Sequence, residues 1–220
     1  MLLQPLQDML AGIYDLPMQY CVDDFLVTER AQLPAAVRDT ETDEQVVVVE
    51  AAEAGELAAV GLFLDPQLLA RLAAANPIEA LNAGNVADYW TALEGVSHFI
   101  CLAWNAEHDR AVSLLELELQ AEIDKYVTSW WLLCEQDPTR HPAELHRLLF
   151  ERCRVDEALA GDRVQMYREA NRYAARFCHR MQQLLAAENT RRSQALCELR
   201  RFYRLSQERK MTHIRRYGEC

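Results

Sequence analysis

The residues best suited to chemistry lie on two consecutive predicted helices. Glu94 and His98 are four positions apart, so they share one face of the first helix. On the second helix, Glu116 falls within the apolar face and Glu122 at its margin. A carboxylate turned into a bundle must be paired with a base, hydrogen-bonded, protonated or bound to a metal. If the two helices face each other, three carboxylates and one imidazole meet, a ligand set suited to Zn, Mn or Fe.

These side chains also fit a purely structural role. The first two can form an ordinary helical pair, and Glu116 can be paired with an arginine of a later helix. Arg168 and Arg172 are the candidates, because they flank Asn171, the polar member of an apolar seam that steps by three and four residues. We therefore expect Asn171 and Arg172 to be polar residues of the core. The chain has no HExxH, GxGxxG, GxxxxGK[ST] or GxSxG motif, so zincin, nucleotide-cradling and nucleophile-elbow chemistry have no support.

A second arrangement of catalytic residue types lies near the start of the third predicted helix. Arg140 and His146 are separated by five residues. This spacing resembles the R-x(4–6)-H motif of helical ribonucleases of the HEPN type, and the resemblance covers these two residues only. His141 stands where that motif has a polar residue after the arginine, and it fits the position only loosely. The resemblance implies a helical protein that acts on nucleic acid; the other interpretation is a solvated helix start ahead of Pro142.

The C-terminal part of the chain is basic, although the whole chain carries a formal charge of −11. Residues 188–220 hold nine Lys and Arg against four Glu, in a predicted amphipathic helix. The predicted interaction residues are Arg200, Arg201, Arg204, Arg209 and Lys210. One role for them is docking onto the acidic loop at residues 39–44, in the same chain or in a partner subunit. The other is binding nucleic acid, because aromatic side chains are interleaved with the basic ones.

Two segments must position these residues: a small α+β cap at 1–81 and a helical bundle at 82–220, which can also form one continuous domain. In the cap, β-rich runs at 45–51 and 57–63 predict a β-hairpin turned at Gly55, which the run at 22–29 can extend to three antiparallel strands. Asp65 and Pro66 predict the start of a short helix. Gly95 interrupts a predicted bundle helix, which indicates that another backbone passes close by. The predicted bundle helices span about 85–105, 110–135, 142–153, 162–187 and 190–217.

The composition is that of an intracellular globular protein. Half of the residues are apolar, and the seven cysteines are scattered without a CxxC pair, which favours a reducing compartment over disulfides. The N-terminus lacks the basic region of a signal peptide, and no apolar run has the length of a membrane span. We therefore expect a cytoplasmic protein that does not bind membranes.

The sequence leaves three functions open. It favours an interaction or scaffold protein, either a homo-oligomer or bound to a protein partner through the bundle surface and the basic C-terminal helix. The second function is a metal-dependent enzyme with one Zn, Mn or Fe ion at Glu94, His98, Glu116 and Glu122. The third is a nucleic-acid-binding or HEPN-like helical protein.

Overall fold

The computed structural model describes residues 2–38, 40, 42–50, 57–139, 142–151, 161–186 and 189–216. In these ranges the chain is mainly α-helical with one small sheet, which confirms the predicted fold class. Its elements are α1 (Leu3–Tyr14), β1 (Leu26–Val27), α2 (Ala35–Arg38), β2 (Glu44–Glu50), β3 (Leu57–Leu64), α3 (Pro66–Ala74), α4 (Val86–Ala106), α5 (Leu114–Gln136), α6 (Leu145–Phe150), α7 (Gly161–Leu185), α8 (Asn189–Tyr203) and α9 (Gln207–Arg216). Several residues of the sequence-based predictions lie outside the described residues, among them Asp39, Glu41, Gly55, Arg140 and His141.

The cap contains a three-stranded mixed sheet in the order β1-β3-β2. β2 and β3 pair in antiparallel register, with Val46 opposite Leu62, which confirms the predicted hairpin. The turn of the hairpin, including Gly55, lies outside the described residues. β1 pairs with β3 in parallel, with Leu26 opposite Leu62, so the expectation of three antiparallel strands is wrong. The reason is the strand order. After β1 the chain passes to the far edge of the sheet, where it forms β2 in the opposite direction. It then turns back and forms β3 in the middle of the sheet, parallel to β1.

Two helices of the cap pack against the bundle. α1 was not predicted, although its apolar residues follow the three- and four-residue spacing of an amphipathic helix. The aliphatic side chains that it buries are Leu3, Leu6, Leu10 and Ile13. α3 begins as predicted: Asp65 is its N-cap and accepts a hydrogen bond of 2.8 Å from the Gln67 N–H, and Pro66 occupies the first turn.

The helices α4, α5 and α7 form the centre of the bundle, and their bounds agree with the prediction to within about one helical turn. α6 ends at Phe150, earlier than predicted, and residues 152–160 lie outside the described residues. The prediction of one continuous last helix is wrong. The chain turns at residues 204–206, which divides that segment into α8 and α9.

Arg110 holds the turn between α8 and α9. Its guanidinium donates hydrogen bonds to the carbonyl oxygens of Arg204 and Leu205, each at 3.1 Å, and so satisfies backbone groups left unpaired at the helix end. The turn directs Lys210 of α9 to Glu116 of α5, where Nζ and Oε1 are 2.9 Å apart in the core. Local periodicity does not predict this break, because it depends on an arginine 94 residues earlier in the chain.

One hydrophobic core runs through the cap and the bundle. It includes Leu10 of α1, Leu64 of β3, Leu93 of α4 and Phe177 of α7, so it is continuous across the predicted boundary at residue 81. Within the described ranges, none of the helices has an apolar stretch that could cross a membrane.

Asp124, in the middle of α5, joins three helices. Its carboxylate accepts hydrogen bonds from Tyr14 of α1, from Ser97 of α4 at 2.6 Å and from Gln120 of α5 at 2.8 Å. The residue is 2% exposed, and burial raises the pKa of Asp124 to about 6, although the hydrogen bonds and the charge of Lys210 oppose this shift. A buried carboxyl group therefore fixes where α1 meets α4 and α5.

The protonation of Asp124 is expected to make stability depend on pH. The folded protein keeps this proton up to about pH 6, whereas the unfolded chain loses it at about pH 4, so the free energy of unfolding falls as pH rises between these values. The expected fall is on the order of 3 kcal/mol. Asp124→Asn has no such proton, and urea denaturation across this range would give a flatter profile than the wild type. Parallel profiles would contradict the raised pKa of Asp124.

The buried pair of Lys210 and Glu116 gives a second prediction. Lys210→Met leaves Glu116 as an unpaired charge in the core, which is expected to lower the free energy of unfolding by about 3–5 kcal/mol. Adding Glu116→Gln removes that charge, so the free energy of unfolding of the double variant is expected to be higher than that of Lys210→Met. Chemical denaturation of the single and double variants measures both effects. A Lys210→Met variant as stable as the wild type would show that the pair is solvated.

Candidate metal centre

Three elements bring six charged side chains together, here named the Glu/His cluster. Its members are Glu44 of β2, Glu94 and His98 of α4, and Glu118, Glu122 and Lys125 of α5. Their side chains are between 8% and 26% exposed. The two residues of α4 share one face of that helix, as predicted. The three residues of α5 also share a face, because they recur at intervals of three and four positions.

His98 lies between two carboxylates. Its Nδ1 is 3.7 Å from Glu44 Oε1 and its Nε2 is 3.9 Å from Glu118 Oε1, distances too long for hydrogen bonds. Both Nε2 of His98 and Oε1 of Glu44 are buried without a hydrogen-bond partner among the described residues. Buried polar atoms are nearly always hydrogen-bonded, so both atoms are able to accept or donate one further bond.

Lys125 forms ion pairs with two carboxylates of the cluster. Its Nζ lies 2.5 Å from Glu94 Oε2 and 2.8 Å from Glu122 Oε1. Burial opposes the charged form of Lys125, but the two carboxylates outweigh it and raise the pKa of the ammonium group. Burial likewise favours the neutral form of Glu94, but Lys125 and His98 lower the pKa of Glu94 below its usual value. This part of the cluster is a charged network at neutral pH.

The other part of the cluster has an excess of acid. Burial raises the pKa of Glu44 and raises that of Glu118 to about 7, because a carboxylate without water is disfavoured. Burial also opposes protonation of His98, but Glu44 and Glu118 outweigh it and raise the pKa of His98 to about 9. Four carboxyl groups thus face one lysine and one histidine, and a bound cation would neutralise the surplus.

Three members of the cluster form a potential ligand set. Glu44, Glu94 and His98 each offer one ligand atom, and these atoms lie within 4.8 Å of one another. Two carboxylate oxygens and an imidazole nitrogen suit Mn, Fe or Zn. Nδ1 of His98 faces Glu44, so Nε2 is available to donate its proton to Glu118 on the other side of the ring. A carboxylate in that position is a usual partner of metal-binding histidines, because it fixes the orientation of the ring.

The structure brings together only part of the ligand set predicted from the sequence. Glu94, His98 and Glu122 meet in the cluster, whereas Glu116 lies on another side of α5 and pairs with Lys210 instead of an arginine. Glu118 has the position beside His98 that was expected of Glu116. The two glutamates are about 200° apart around α5, on nearly opposite sides of it. Because this helix is buried nearly all round, its sequence does not show which of these sides faces α4.

Sequence reasoning missed Glu44 and Glu118. The signal for Glu118 was its spacing from Glu122 and Lys125, which gives α5 a second polar stripe. Glu44 has no local signal, because it reaches His98 only through the packing of β2 on α4.

Gly95 of α4 makes room for the hairpin. A Cβ at this position would lie 2.5 Å from Leu62 Cδ1 and 2.9 Å from Glu44 Cγ, closer than such atoms approach in proteins. The sequence predicted that another backbone passes here, and the structure instead places side chains of β2 and β3 at this point. The missing side chain of Gly95 therefore allows Glu44 to approach His98.

The other predicted polar residues have separate environments. Asn171 is partly buried, and its Nδ2 has no hydrogen-bond partner among the described residues. Arg172 lies on the surface with its side chain 60% exposed, so its assignment to the core is wrong: it is turned about 100° around α7 from the inward-facing Asn171.

His146 Nε2 is 2.8 Å from the carbonyl oxygen of Ala175. Because Arg140 is outside the described residues, the HEPN-like motif stays a prediction.

The basic C-terminal residues divide into engaged and exposed groups. Arg200 and Arg204 donate hydrogen bonds to the last carbonyl groups of α1 and so cap that helix. Lys210 is 1% exposed and is paired in the core. Arg201 and Arg209 are exposed. Three of the five predicted interaction residues therefore hold this chain together.

Comparisons with known proteins identify no relative: no family model, no curated protein and no solved structure matches the chain.

The variant Gly95→Ala tests the docking of the hairpin on α4. Its methyl group is expected to displace Glu44 and Leu62 and to lower the free energy of unfolding by about 1–3 kcal/mol, although alanine favours a helix interior by about 1 kcal/mol. Gly12→Ala is the matched control, because nothing lies within 4 Å of its added Cβ. Urea denaturation is expected to show a loss only for Gly95→Ala. A gain of stability in both variants would show that the hairpin does not pack against Gly95.

Proposed function

We propose that this protein binds one divalent cation through Glu44, Glu94 and His98 and uses it in a metal-dependent reaction. The observation that supports the proposal is the convergence of three ligand atoms within 4.8 Å. The convergence requires β2 to pack on α4, so helical spacing alone does not produce it. The unpaired oxygen of Glu44 and the orienting position of Glu118 are the further properties expected of a metal site.

The ligand chemistry favours Mn, Fe or Zn, and the number of ligands favours catalysis. Three protein ligands leave coordination positions for water or substrate, as in catalytic metal sites, whereas structural zinc sites have four. A cation held in this way supplies Lewis acidity, which polarises a substrate oxygen or activates water at neutral pH. We therefore infer hydrolytic chemistry on a carbonyl or phosphoryl group.

Glu94 and Tyr167 mark the side from which a substrate would enter. Glu94 is the most exposed member of the cluster, with 26% of its side chain accessible to solvent. Tyr167 of α7 is partly buried near Glu118 and Glu94, and burial together with these carboxylates raises its pKa to about 12. Its phenol thus stays protonated and is able to donate a hydrogen bond to a substrate oxygen.

The interaction or scaffold function favoured by the sequence has less support. Arg200, Arg204 and Lys210 are engaged within the chain, which leaves Arg201 and Arg209 as the members of that set available to a protein partner.

The experiment is elemental mass spectrometry on protein purified without a histidine tag or chelator. The wild type is expected to carry about one equivalent of Mn, Fe or Zn, and His98→Ala and Glu44→Gln are expected to lose it because each removes a ligand. His213→Ala is the matched control, because His213 contacts Glu198, which is outside the cluster. A wild type that contains no metal, and is not stabilised by adding any of the three, would make the cluster an ion-pair network.

A further inference from the structure

Four of the exposed arginines of helix α7 follow one another at four-residue intervals, and they are here named the arginine row. Its members are Arg168, Arg172, Arg176 and Arg180. Each follows the previous one by four residues, or about 6 Å along the helix. The opposite side of α7 is buried in the core through residues that include Ala174, Phe177 and Cys178. The row therefore faces solvent.

Two charges of the row are not balanced by an acidic neighbour among the described residues. Within the described ranges, Arg168 and Arg176 take part in no ion pair, and Arg172 contacts one glutamate of its own helix at 3.7 Å. Arg215 of α9 extends the positive surface, because its guanidinium donates a hydrogen bond of 3.0 Å to the hydroxyl of Tyr173 beside the row. Arginines from two helices thus contribute to one surface.

The arginine row belongs to a strongly basic part of an acidic chain. Residues 161–216 hold 14 Lys and Arg against five Asp and Glu, whereas the rest of the chain holds nine against 29. Such segregation creates a local positive field although the whole molecule is negative. A polyanion would be attracted to this part of the surface and repelled by the rest.

The residues around the arginine row favour one of two possible partners, which are an acidic protein surface and a nucleic acid. Protein interfaces need apolar or aromatic anchors at their centre. The large exposed hydrophobic residues of the described ranges are Tyr20, Val48, Leu114, Trp131 and Leu148, and none of them lies on α7, α8 or α9. Arginine, by contrast, binds phosphate oxygens through two parallel hydrogen bonds and needs no apolar anchor. The row matches the phosphate backbone of a nucleic acid better than an acidic protein surface.

We propose that the arginine row of α7, extended by Arg215, binds the sugar-phosphate backbone of nucleic acid without reading its sequence. Contacts to phosphates fix position and carry no base information. The interaction is strongly salt-dependent, because each arginine that binds a phosphate releases condensed counterions. This site involves no member of the Glu/His cluster, so its test is independent of metal binding.

The test measures the fluorescence anisotropy of a labelled single-stranded and a labelled duplex oligonucleotide with the full chain. The double variant Arg168→Gln/Arg176→Gln removes two charges from the row. The control Arg38→Gln/Arg147→Gln removes two charges from exposed arginines of α2 and α6, outside residues 161–216. The row variant is expected to bind at least about tenfold more weakly at low salt, and its plot of log affinity against log salt is expected to be shallower by about 1.5–2. The control is expected to bind within about twofold of the wild type.

Three outcomes would overturn the proposal. One is the absence of binding by the wild type at low salt to either oligonucleotide. Another is an equal loss in the two double variants, which would assign binding to general charge. The third is salt-sensitive self-association that the row variant abolishes while oligonucleotide binding is unchanged, which would make the acidic surface of a second copy the partner. Circular dichroism of both variants verifies that neither substitution pair unfolds the chain.

Discussion

Helix α5 carries charged side chains where a helical bundle normally has aliphatic ones. Each of these buried groups needs a hydrogen-bond or ion-pair partner, and this requirement places the elements around α5. Glu116 binds Lys210 of α9, and Asp124 accepts a hydrogen bond from Tyr14 of α1. Lys125, on a further side of the helix, binds the carboxylates of the Glu/His cluster. An unpaired buried charge costs about 3–5 kcal/mol, so each contact constrains its partner element strongly. Polar contacts, as well as apolar burial, therefore set the positions of α1, α4 and α9 around α5.

The sequence predicts those parts of the fold that depend on local chemistry. Asp65 caps α3 because its side chain reaches a backbone N–H two residues away. Two β-rich runs around a connection that contains glycine were enough to predict the hairpin. The parallel pairing of β1 and the turn after α8 could not be predicted in this way. The first depends on the path of the chain across the sheet, and the second on hydrogen bonds from Arg110, which is distant in sequence.

The candidate site shows the same division between local and distant information. Glu94 and His98 were predictable because their spacing along one helix fixes their relation. On α5 the inward face could not be identified from the sequence, because the helix is buried nearly all round and Glu116 and Glu118 both point into the protein. Glu44 belongs to another element, and its approach depends on the small volume of Gly95. Only the packing of the hairpin on the bundle completes the ligand set.

If the Glu/His cluster binds a cation as we propose, Lys125 limits the number of cations to one. In sites with two metal ions, the ions lie about 3.5–4 Å apart. The ammonium group of Lys125 occupies the place between Glu94 and Glu122 that a second ion would need, at 2.5 and 2.8 Å from their oxygens. With all four carboxyl groups ionised and His98 neutral, one divalent cation leaves the cluster with a single negative charge. A second would reverse the sign of that charge in a buried environment, so the cluster is suited to chemistry with one metal ion.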